Sequence, residues 1–316
     1  MQKIGVLLLN MGGPTDIYGV ENFLKNIFND PVILPIKNPL IRKIVSSAIV
    51  SKRLEYVKNI YRAIGGGSPI IKHTFSLTQK LNTLDSQRTY SYSMRYSPPF
   101  AKDALQEFKD NNINDIVLFS MYPQSSFTTI HSSLNEVHQN LKELEYKPRV
   151  RVIEHYYDHE PFYHLITDEI ERVLNGEDAR DFILILSAHG LPKNVVDKGD
   201  TYPQQCQRGL EIISEICKQR GMAFDEIKLS YQSKVGPMKW IKPATSDVIA
   251  ESKHKKIIIY PIAFSVDNSE TDYELRIEYA KLAKSLNVKD YRVCLCMNDS
   301  EAFAQMIIDL IAQKCP

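Results

Sequence analysis

The chain has 316 residues, of which 43% are hydrophobic and 24% charged, and its formal net charge is +1. This balance is typical of globular proteins and argues against disorder or a coiled coil. A net charge so close to zero provides no long-range attraction to nucleic acid, so we expect no nucleic-acid partner. The length suffices for two domains of ordinary size.

The first apolar run begins at Ile4 and ends at Asn10. It lacks a cleavage-like segment, so it indicates a buried strand and not a signal peptide. No apolar run in the chain approaches the ~20 residues that a membrane-spanning helix needs. The expected location is therefore the cytoplasm.

Strand-like and helix-like segments alternate along the whole chain. Several strand segments are continuous Ile/Val/Leu runs, which is typical of parallel strands covered on both faces. The helical patterns between them predict α/β architecture with helices on both sides of parallel sheets. The predicted strands are 4–9, 90–94, 115–119, 150–153, 182–186, 226–229, 256–262 and 290–294, and the clearest helices are 100–109, 130–144, 204–219 and 271–285.

The strands fall into two groups, which predicts two doubly wound, Rossmann-like domains at 1–150 and 151–316. The last helix, near 301–313, can return to the first domain. In such folds ligands bind beyond the carboxyl ends of the strands, often between domains, so we expect the active cleft there. The loops that follow the strands are thus the places to look for chemistry.

Two of these loops contain small residues beside groups that could be functional. Asn10-Met11-Gly12-Gly13-Pro14 follows the first strand, but it lacks the G-x-G-x-x-G pattern of dinucleotide-binding proteins. Ser187-Ala188-His189-Gly190 follows the predicted strand 182–186. The imidazole of His189, neutral near pH 7, could accept a proton or bind a metal ion, or it could simply bond to a loop carbonyl.

Three glutamates spaced by four residues follow the predicted strand 256–262. On an α-helix, Glu270, Glu274 and Glu278 form one stripe about 12 Å long. Arg276 is poorly placed to neutralise all three. The stripe is either a solvated acidic face or a series of hard oxygen ligands that passes a divalent cation inward.

The five cysteines show no framework spacing. Their number is odd, which argues against a set of disulfides; they are Cys206, Cys217, Cys294, Cys296 and Cys315. The pair Cys294 and Cys296 could contribute to a metal site. The alternative of buried, reduced thiols is favoured, because free cysteine packs as a small apolar residue.

Taken together and in this order, several motifs closely resemble the ferrochelatase family of class II chelatases. The resemblance covers nearly the whole chain, and no single motif would be specific alone. The matching segments are 8–14, 61–70, 94–96, 122–125, 187–192, 199–203, 231–240 and 298–299.

The resemblance implies a chelatase fold, with a porphyrin bound between the domains. His189 matches the family's active-site histidine, and Glu270 matches the glutamate that faces it. Glu274 and Glu278 match the acidic residues that lead away along the same helix, so the expected metal-binding set is these three glutamates with His189. The expected porphyrin contacts are Met11, Arg95, Tyr96, Tyr122, Ser125 and Trp240.

Two departures from the family pattern bear on the chemistry. Asn268 stands where a second histidine is common, and an amide cannot act as a base. The cysteine-rich C-terminal extension that holds an iron–sulfur cluster in some members is missing here. We therefore expect no iron–sulfur cluster and no permanently bound cofactor.

The expected activity is insertion of Fe²⁺ into protoporphyrin IX, with release of two protons, as the last step of haem biosynthesis. Protoporphyrin is favoured over coproporphyrin because Asn10-Met11-Gly12-Gly13 resembles the proteobacterial and eukaryotic branch. The division of roles between His189 and Glu270 stays open. The alternatives are a cobalt or nickel chelatase of another tetrapyrrole and a non-enzymatic haem or metal carrier.

The segment 34–53 combines an apolar helical face with basic flanks and contains no acidic residue. It is either a helix packed on the first domain or, as the resemblance suggests, a lip that touches lipid beside the porphyrin site. The second alternative would make the protein peripheral to the inner membrane. The apolar positions are Ile41, Ile44, Val45, Ala48 and Ile49, and the basic ones are Lys37, Arg42, Lys43, Lys52 and Arg53.

Overall fold

The structure, a computed structural model, describes residues 4–233 and 238–315, which form two compact units. Each unit is built on one four-stranded, fully parallel sheet. The predicted α/β class with two parallel sheets is confirmed. The strands are β1 (Ile4–Asn10), β2 (Arg88–Met94), β3 (Asp115–Ser120), β4 (Arg149–Ile153), β5 (Phe182–His189), β6 (Glu226–Gln232), β7 (Lys256–Tyr260) and β8 (Tyr291–Val293).

Helices connect the strands within each sheet. One of them, Glu270–Glu278, is a π-helix, and the others that we number are α-helices. Their bounds are α1 (Val20–Asn29), α2 (Pro39–Ala63), α3 (Ile70–Leu84), α4 (Ala101–Asp110), α5 (Ile130–Glu143), α6 (Glu160–Leu174), α7 (Lys193–Val196), α8 (Tyr202–Gln219), α9 (Thr245–Glu251), α10 (Tyr279–Ser285) and α11 (Glu301–Lys314).

The first unit comprises Met1–Glu154 and Asp299–Pro316, and its strand order is β2-β1-β3-β4. The boundary predicted at 150 lies inside β4, which belongs to this unit because it pairs in parallel with β3. The last helix, α11, packs against α3. The Nδ1 atom of His73 on α3 lies 2.9 Å from Oδ1 of Asp299, just before α11 begins.

The second unit comprises His155–Asn298, and its strand order is β6-β5-β7-β8. Residues 182–188 of β5 are all buried, as the continuous apolar run predicted. One face of this sheet packs against Leu275 of the π-helix and Val248 of α9. Burial of Leu275 therefore fixes the π-helix against the sheet, because a fully buried leucine contributes about 1.5–3 kcal/mol.

Candidate active site

The carboxyl ends of β5 and β6 bring together two segments of the second unit. His189 is the last residue of β5 and pairs with Gln232, the last residue of β6. Strand β7 lies on the other side of β5, and the chain that leaves it continues into the π-helix. Since parallel strands end at the same edge, the loops after all three converge there.

His189 and Glu270 form a direct pair at this edge. The Nδ1 atom of His189 lies 2.7 Å from Oε2 of Glu270. Burial disfavours the charged imidazole, but the adjacent Glu270 carboxylate outweighs this effect and raises the pKa of His189. Burial likewise opposes the charge of Glu270, yet the imidazole and neighbouring donors hold its pKa below the ordinary value. Hence the imidazole is more basic than the ordinary histidine assumed from the sequence.

Ser233 links Glu270 to Glu274, a contact that sequence reasoning missed. Its hydroxyl lies 2.9 Å from Oε2 of Glu270 and also contacts Oε2 of Glu274. Its backbone N–H donates to Oε1 of Glu274 at 2.7 Å. The hydroxyl of Tyr279 donates to that same oxygen at 2.8 Å. Burial and the charge of Glu270 nevertheless raise the pKa of Glu274.

Ser233 adopts a left-handed backbone conformation, with φ of +67°. Such values are uncommon for residues other than glycine and cluster at functional sites. The only sequence signal was its place in the segment that follows β6. That signal could not reveal that β6 lies beside β5.

Buried hydroxyls orient the amide of Gln232 behind the pair. Ser187 donates to Oε1 of Gln232 at 2.7 Å, and Ser187 and Ser230 each lie within 3.0 Å of the hydroxyl of Thr245. With its oxygen engaged, Gln232 turns its Nε2 towards Glu270, 3.5 Å from Oε2. This residue was also missed, because a buried amide carries no distinctive sequence pattern.

The helix that carries the glutamates differs from the one predicted. The sequence indicated a single α-helix over 271–285, whereas Glu270–Glu278 is a π-helix that α10 continues. Its bonds close over five residues instead of four, so the stripe geometry derived for an α-helix does not apply. Glu270 and Glu274 both contact Ser233, while Glu278 lies exposed farther along.

Asn268 supports the backbone just before this helix begins. Its side-chain Oδ1 accepts from the backbone N–H of Glu270 at 2.8 Å, and its Nδ2 donates to the carbonyl of Val266 at 3.2 Å. The residue is only 2% exposed. The amide that replaces the family's histidine thus supports the backbone of Glu270.

Trp240 packs beside the loop that contains His189. It forms an isolated bridge with Pro192, and a Cβ at Gly190 would lie 3.2 Å from its ring. A side chain at Gly190 would also meet the carbonyl of Gln232 at 2.6 Å, so this position has to be glycine. Residues 234–237 of the predicted motif lie outside the described residues.

In the first unit, Arg95 and Tyr96 converge on Asp30. Nη2 of Arg95 lies 2.8 Å from Oδ2 of Asp30, the Tyr96 hydroxyl donates to the same oxygen at 2.9 Å, and Ser132 also donates to it. Tyr96 is 4% exposed, so it supports Asp30 instead of presenting a free surface. Arg95 borders a polar pocket of about 330 Å³, together with Glu136.

The remaining predicted contacts of the first unit follow β1 and β3. Met11 is half-buried and lies next to Gly12, whose φ is +85°. A Cβ at Gly12 would lie 2.3 Å from Oγ of Ser97, so only glycine fits there. Tyr122 and Ser125 are half-buried in the loop after β3.

All five cysteines are buried and unpaired by disulfides. Cys294 and Cys296 lie just after β8, with Leu295 exposed between them. Across residues 4–233 and 238–315, no group of three or more His, Cys, Asp or Glu side chains is arranged to hold a metal ion. Within the same residues, no helix has the length and apolar character that crossing a membrane requires.

Comparison with solved structures places the fold among chelatases. SirB from Bacillus subtilis, solved with Fe³⁺, aligns with a TM-score of 0.59 over 99% of this chain and 95% of its own, at 9% identity. CbiX, described as the terminal enzyme for siroheme biosynthesis in denitrifying bacteria, gives a TM-score of 0.55 over 99% and 100%, at 10% identity. These identities establish a shared fold alone.

Sequence comparison identifies the family. The Ferrochelatase family model matches residues 3–315. A ferrochelatase from Helicobacter pylori strain HPAG1 is 49% identical over 310 residues, which cover 98% of this chain and 92% of the relative. A ferrochelatase from Wolinella succinogenes is 48% identical over 311 residues, which cover 98% of both chains. The chain therefore belongs to the ferrochelatase family and is a metal chelatase of the lyase class.

Proposed function

We propose that the chain inserts Fe²⁺ into protoporphyrin IX, releases two protons and so forms protohaem in the last step of haem biosynthesis. The observation that carries this proposal is the His189–Glu270 pair, 2.7 Å apart at the carboxyl edge of a chelatase-type sheet. Family membership supplies the reaction class. The choice of protoporphyrin rests on the Asn10-Met11-Gly12-Gly13 segment.

In this proposal His189 is the base that accepts the two pyrrole protons one after the other, passing the first to solvent before it takes the second. A free-base porphyrin carries two N–H protons that must leave as the divalent metal enters. The carboxylate of Glu270 makes the imidazole a stronger base and stabilises the imidazolium that forms. Because the two groups are coupled, the proton belongs to the pair as much as to either residue.

We further propose that Glu270, Glu274 and Glu278 supply the iron one after another, and that His189 is its last ligand, which the iron leaves for the porphyrin before the imidazole accepts a proton. Carboxylates and imidazole are suitable ligands for a divalent iron substrate. Glu278 is exposed, Glu274 is half-buried, and Glu270 contacts His189. This order supports a path from solvent to the base.

The proposed porphyrin contacts are Met11, Arg95, Tyr122, Ser125 and Trp240. The position of Trp240 beside Gly190 supports its role, because an indole next to His189 would offer a flat surface to a macrocycle. Tyr96 would act through Asp30, whose carboxylate also holds Arg95.

We also propose that the protein works in the cytoplasm and touches the membrane surface through residues 34–53. Leu40, Ile41 and Ile44 of α2 are 71%, 51% and 70% exposed, whereas Val50 on the same helix is buried. An exposed apolar patch beside basic residues suits shallow binding to anionic headgroups. Such contact would let an apolar porphyrin enter and haem leave without crossing water.

An anaerobic insertion assay tests the proposal. The purified protein is given Fe²⁺, Co²⁺ or Ni²⁺ with protoporphyrin, coproporphyrin or a sirohydrochlorin-type tetrapyrrole, and the absorption spectrum is followed. We expect multiple turnovers with Fe²⁺ and protoporphyrin. Preferential turnover of another pair would identify a different chelatase, and stoichiometric binding without turnover would identify a carrier.

A further inference from the structure

Arg276 lies within the π-helix, and the ion pairs recorded for it join it to Asp267 and Asp272. Its guanidinium lies 3.1 Å from Oδ1 of Asp267 and 2.5 Å from Oδ1 of Asp272. It also donates to the backbone carbonyl of Cys294 at 2.9 Å. One side chain therefore joins the π-helix to the loop before it and to the segment that follows β8.

Asp267 is a buried and fully engaged partner for this guanidinium. It is 3% exposed, and its second carboxylate oxygen accepts from Nδ2 of Asn298 at 2.7 Å and from the N–H of Cys296 at 3.3 Å. Its own N–H donates to Oδ1 of Asn298 at 2.8 Å. A buried carboxylate with this many donors is held in one place, and removing its cation would leave an uncompensated charge.

A π-helix needs such external support. Bonds that close over five residues are rare, and the segment is less favourable than an α-helix of the same sequence. Conversion to α-helical bonding would shift the register by one residue per turn. That shift would change the position of Glu274 relative to Glu270 and so disturb the contacts that both make with Ser233.

Asp267 and Arg276 lie on either side of the two glutamates in the sequence. Asp267 precedes Glu270, and Arg276 follows Glu274. The ion pair thus closes a loop that contains both glutamates, and the bond to Cys294 fixes this loop to the end of β8.

We propose that Arg276 is a positioning residue, whose bonds to Asp267 and Cys294 hold Glu270–Glu278 in the π register and so set the spacing of Glu270 and Glu274. This role rests on the proposed function, in which the two glutamates deliver iron. It predicts that Arg276 controls the use of iron and leaves porphyrin binding unchanged.

The test compares wild type with Arg276→Met, Arg276→Lys and the control Arg180→Met. Arg180 forms an ion pair with Asp178 that is open to solvent, so its loss changes charge without touching the π-helix. For each protein we would measure amide hydrogen exchange over 270–278, the apparent KM for Fe²⁺ and for porphyrin, kcat and the melting temperature.

For Arg276→Met we expect at least tenfold faster exchange over 270–278, at least a tenfold rise in KM for Fe²⁺ and a KM for porphyrin within twofold of wild type. Arg276→Lys should recover part of both effects, and Arg180→Met should match wild type. The proposal would be overturned if amide exchange over 270–278 were unchanged. It would also be overturned if the KM values for Fe²⁺ and for porphyrin rose equally, in proportion to a fall in melting temperature. If wild type inserts no iron, the proposed function fails, while the hydrogen-exchange data still show whether Arg276 stabilises the π-helix.

Discussion

The Nδ1 atom of His189 and the Oε2 atom of Glu270 lie 2.7 Å apart, although 81 residues separate them in the sequence. The hydroxyl of Ser233 contacts the same carboxylate oxygen at 2.9 Å. Ser233 in turn contacts Glu274, so a continuous series of polar contacts runs from the imidazole to the second turn of the π-helix. Removing any member should affect the others.

Replacing His189 with alanine should abolish metal insertion while the protein stays folded. The imidazole is the proposed base and also a proposed metal ligand, so the loss should exceed the ~10²–10⁴-fold typical of a general base. Insertion rate and circular dichroism would be measured together. His254→Ala, at an exposed position of the same unit, is the control. Near-normal turnover by folded His189→Ala would remove this residue from the mechanism.

The three glutamates should respond differently to replacement by glutamine. Glu270→Gln should abolish activity, because it removes the charge that stabilises the imidazolium. Glu274→Gln and Glu278→Gln should mainly raise the apparent KM for Fe²⁺, with the larger effect for Glu274, which contacts Ser233. Glu251→Gln, an exposed change on α9, should match wild type. If Glu274→Gln and Glu278→Gln both kept the wild-type KM for Fe²⁺, Glu274 and Glu278 would be part of a solvated acidic face and not ligands of iron.

The sequence predicted the eight strands found among the described residues, because several are short apolar runs and strands alternate with helical patterns along the chain. It could not predict the π-helix, since the four-residue spacing of Glu270, Glu274 and Glu278 fits an α-helix equally well. In our proposal the difference arises from tertiary contacts, such as those of Arg276 with Asp267 and Cys294. Intrinsic helix propensity depends on local sequence and does not reflect such tertiary contacts.

The site could be predicted only where residue chemistry or the family resemblance was distinctive. His189 stood out as a histidine after a strand, whereas the spacing of Glu270 also fitted a solvated face. Only the resemblance implied that the two face one another, and the structure brings them together. Ser233 and Gln232 did not stand out, because serine and glutamine are common and their roles depend on the pairing of β5 with β6. Sheet order is a property of the whole fold and is not written in any one loop.

The purified protein should show no visible absorption from an iron–sulfur cluster. Such a cluster is held by cysteine thiolates, and the five cysteines of this chain lack the spacing of a cluster-binding motif. The check is an absorption spectrum with iron and acid-labile sulfide analysis of an anaerobic preparation. Stoichiometric sulfide would contradict the expectation.

Glu136 should make the stability of the fold depend on pH. Burial, with a smaller contribution from the charge of Asp30, outweighs Arg95 and raises the pKa of Glu136 from 4.5 to about 7. The folded state then binds this proton more tightly than the unfolded state, so the contribution of Glu136 to the free energy of unfolding is largest below pH 4.5 and is lost as the pH rises through about 7. The full difference corresponds to about 3 kcal/mol.

Glu136→Gln should remove this component. Wild type should lose more free energy of unfolding than the variant when the pH is raised from 5 to 8. The difference between the two losses should be on the order of 1–3 kcal/mol. Urea unfolding at both pH values measures it. Glu107→Gln, exposed on α4, should leave the wild-type pH dependence intact. Identical pH dependence in Glu136→Gln and wild type would show that Glu136 ionises normally.

The segment 34–53 should bind weakly to anionic vesicles in a salt-sensitive manner. Leu40 and Ile44 present an exposed apolar surface on α2, and Arg42 and Lys43 lie beside them. Insertion of the apolar side chains and attraction of the basic ones to anionic headgroups should act together, with about 1 kcal/mol for each cation near the surface. Sedimentation with phosphatidylglycerol vesicles should recover wild type at low salt, and less of it at high salt or with phosphatidylcholine vesicles.

Reversing the charge of the basic residues on α2 should weaken this binding. Arg42→Glu with Lys43→Glu should lower recovery in the vesicle pellet. Lys284→Glu with Lys289→Glu makes the same change in net charge elsewhere and should not lower it. Equal recovery of wild type and the Arg42/Lys43 variant at low salt would refute membrane contact through this segment.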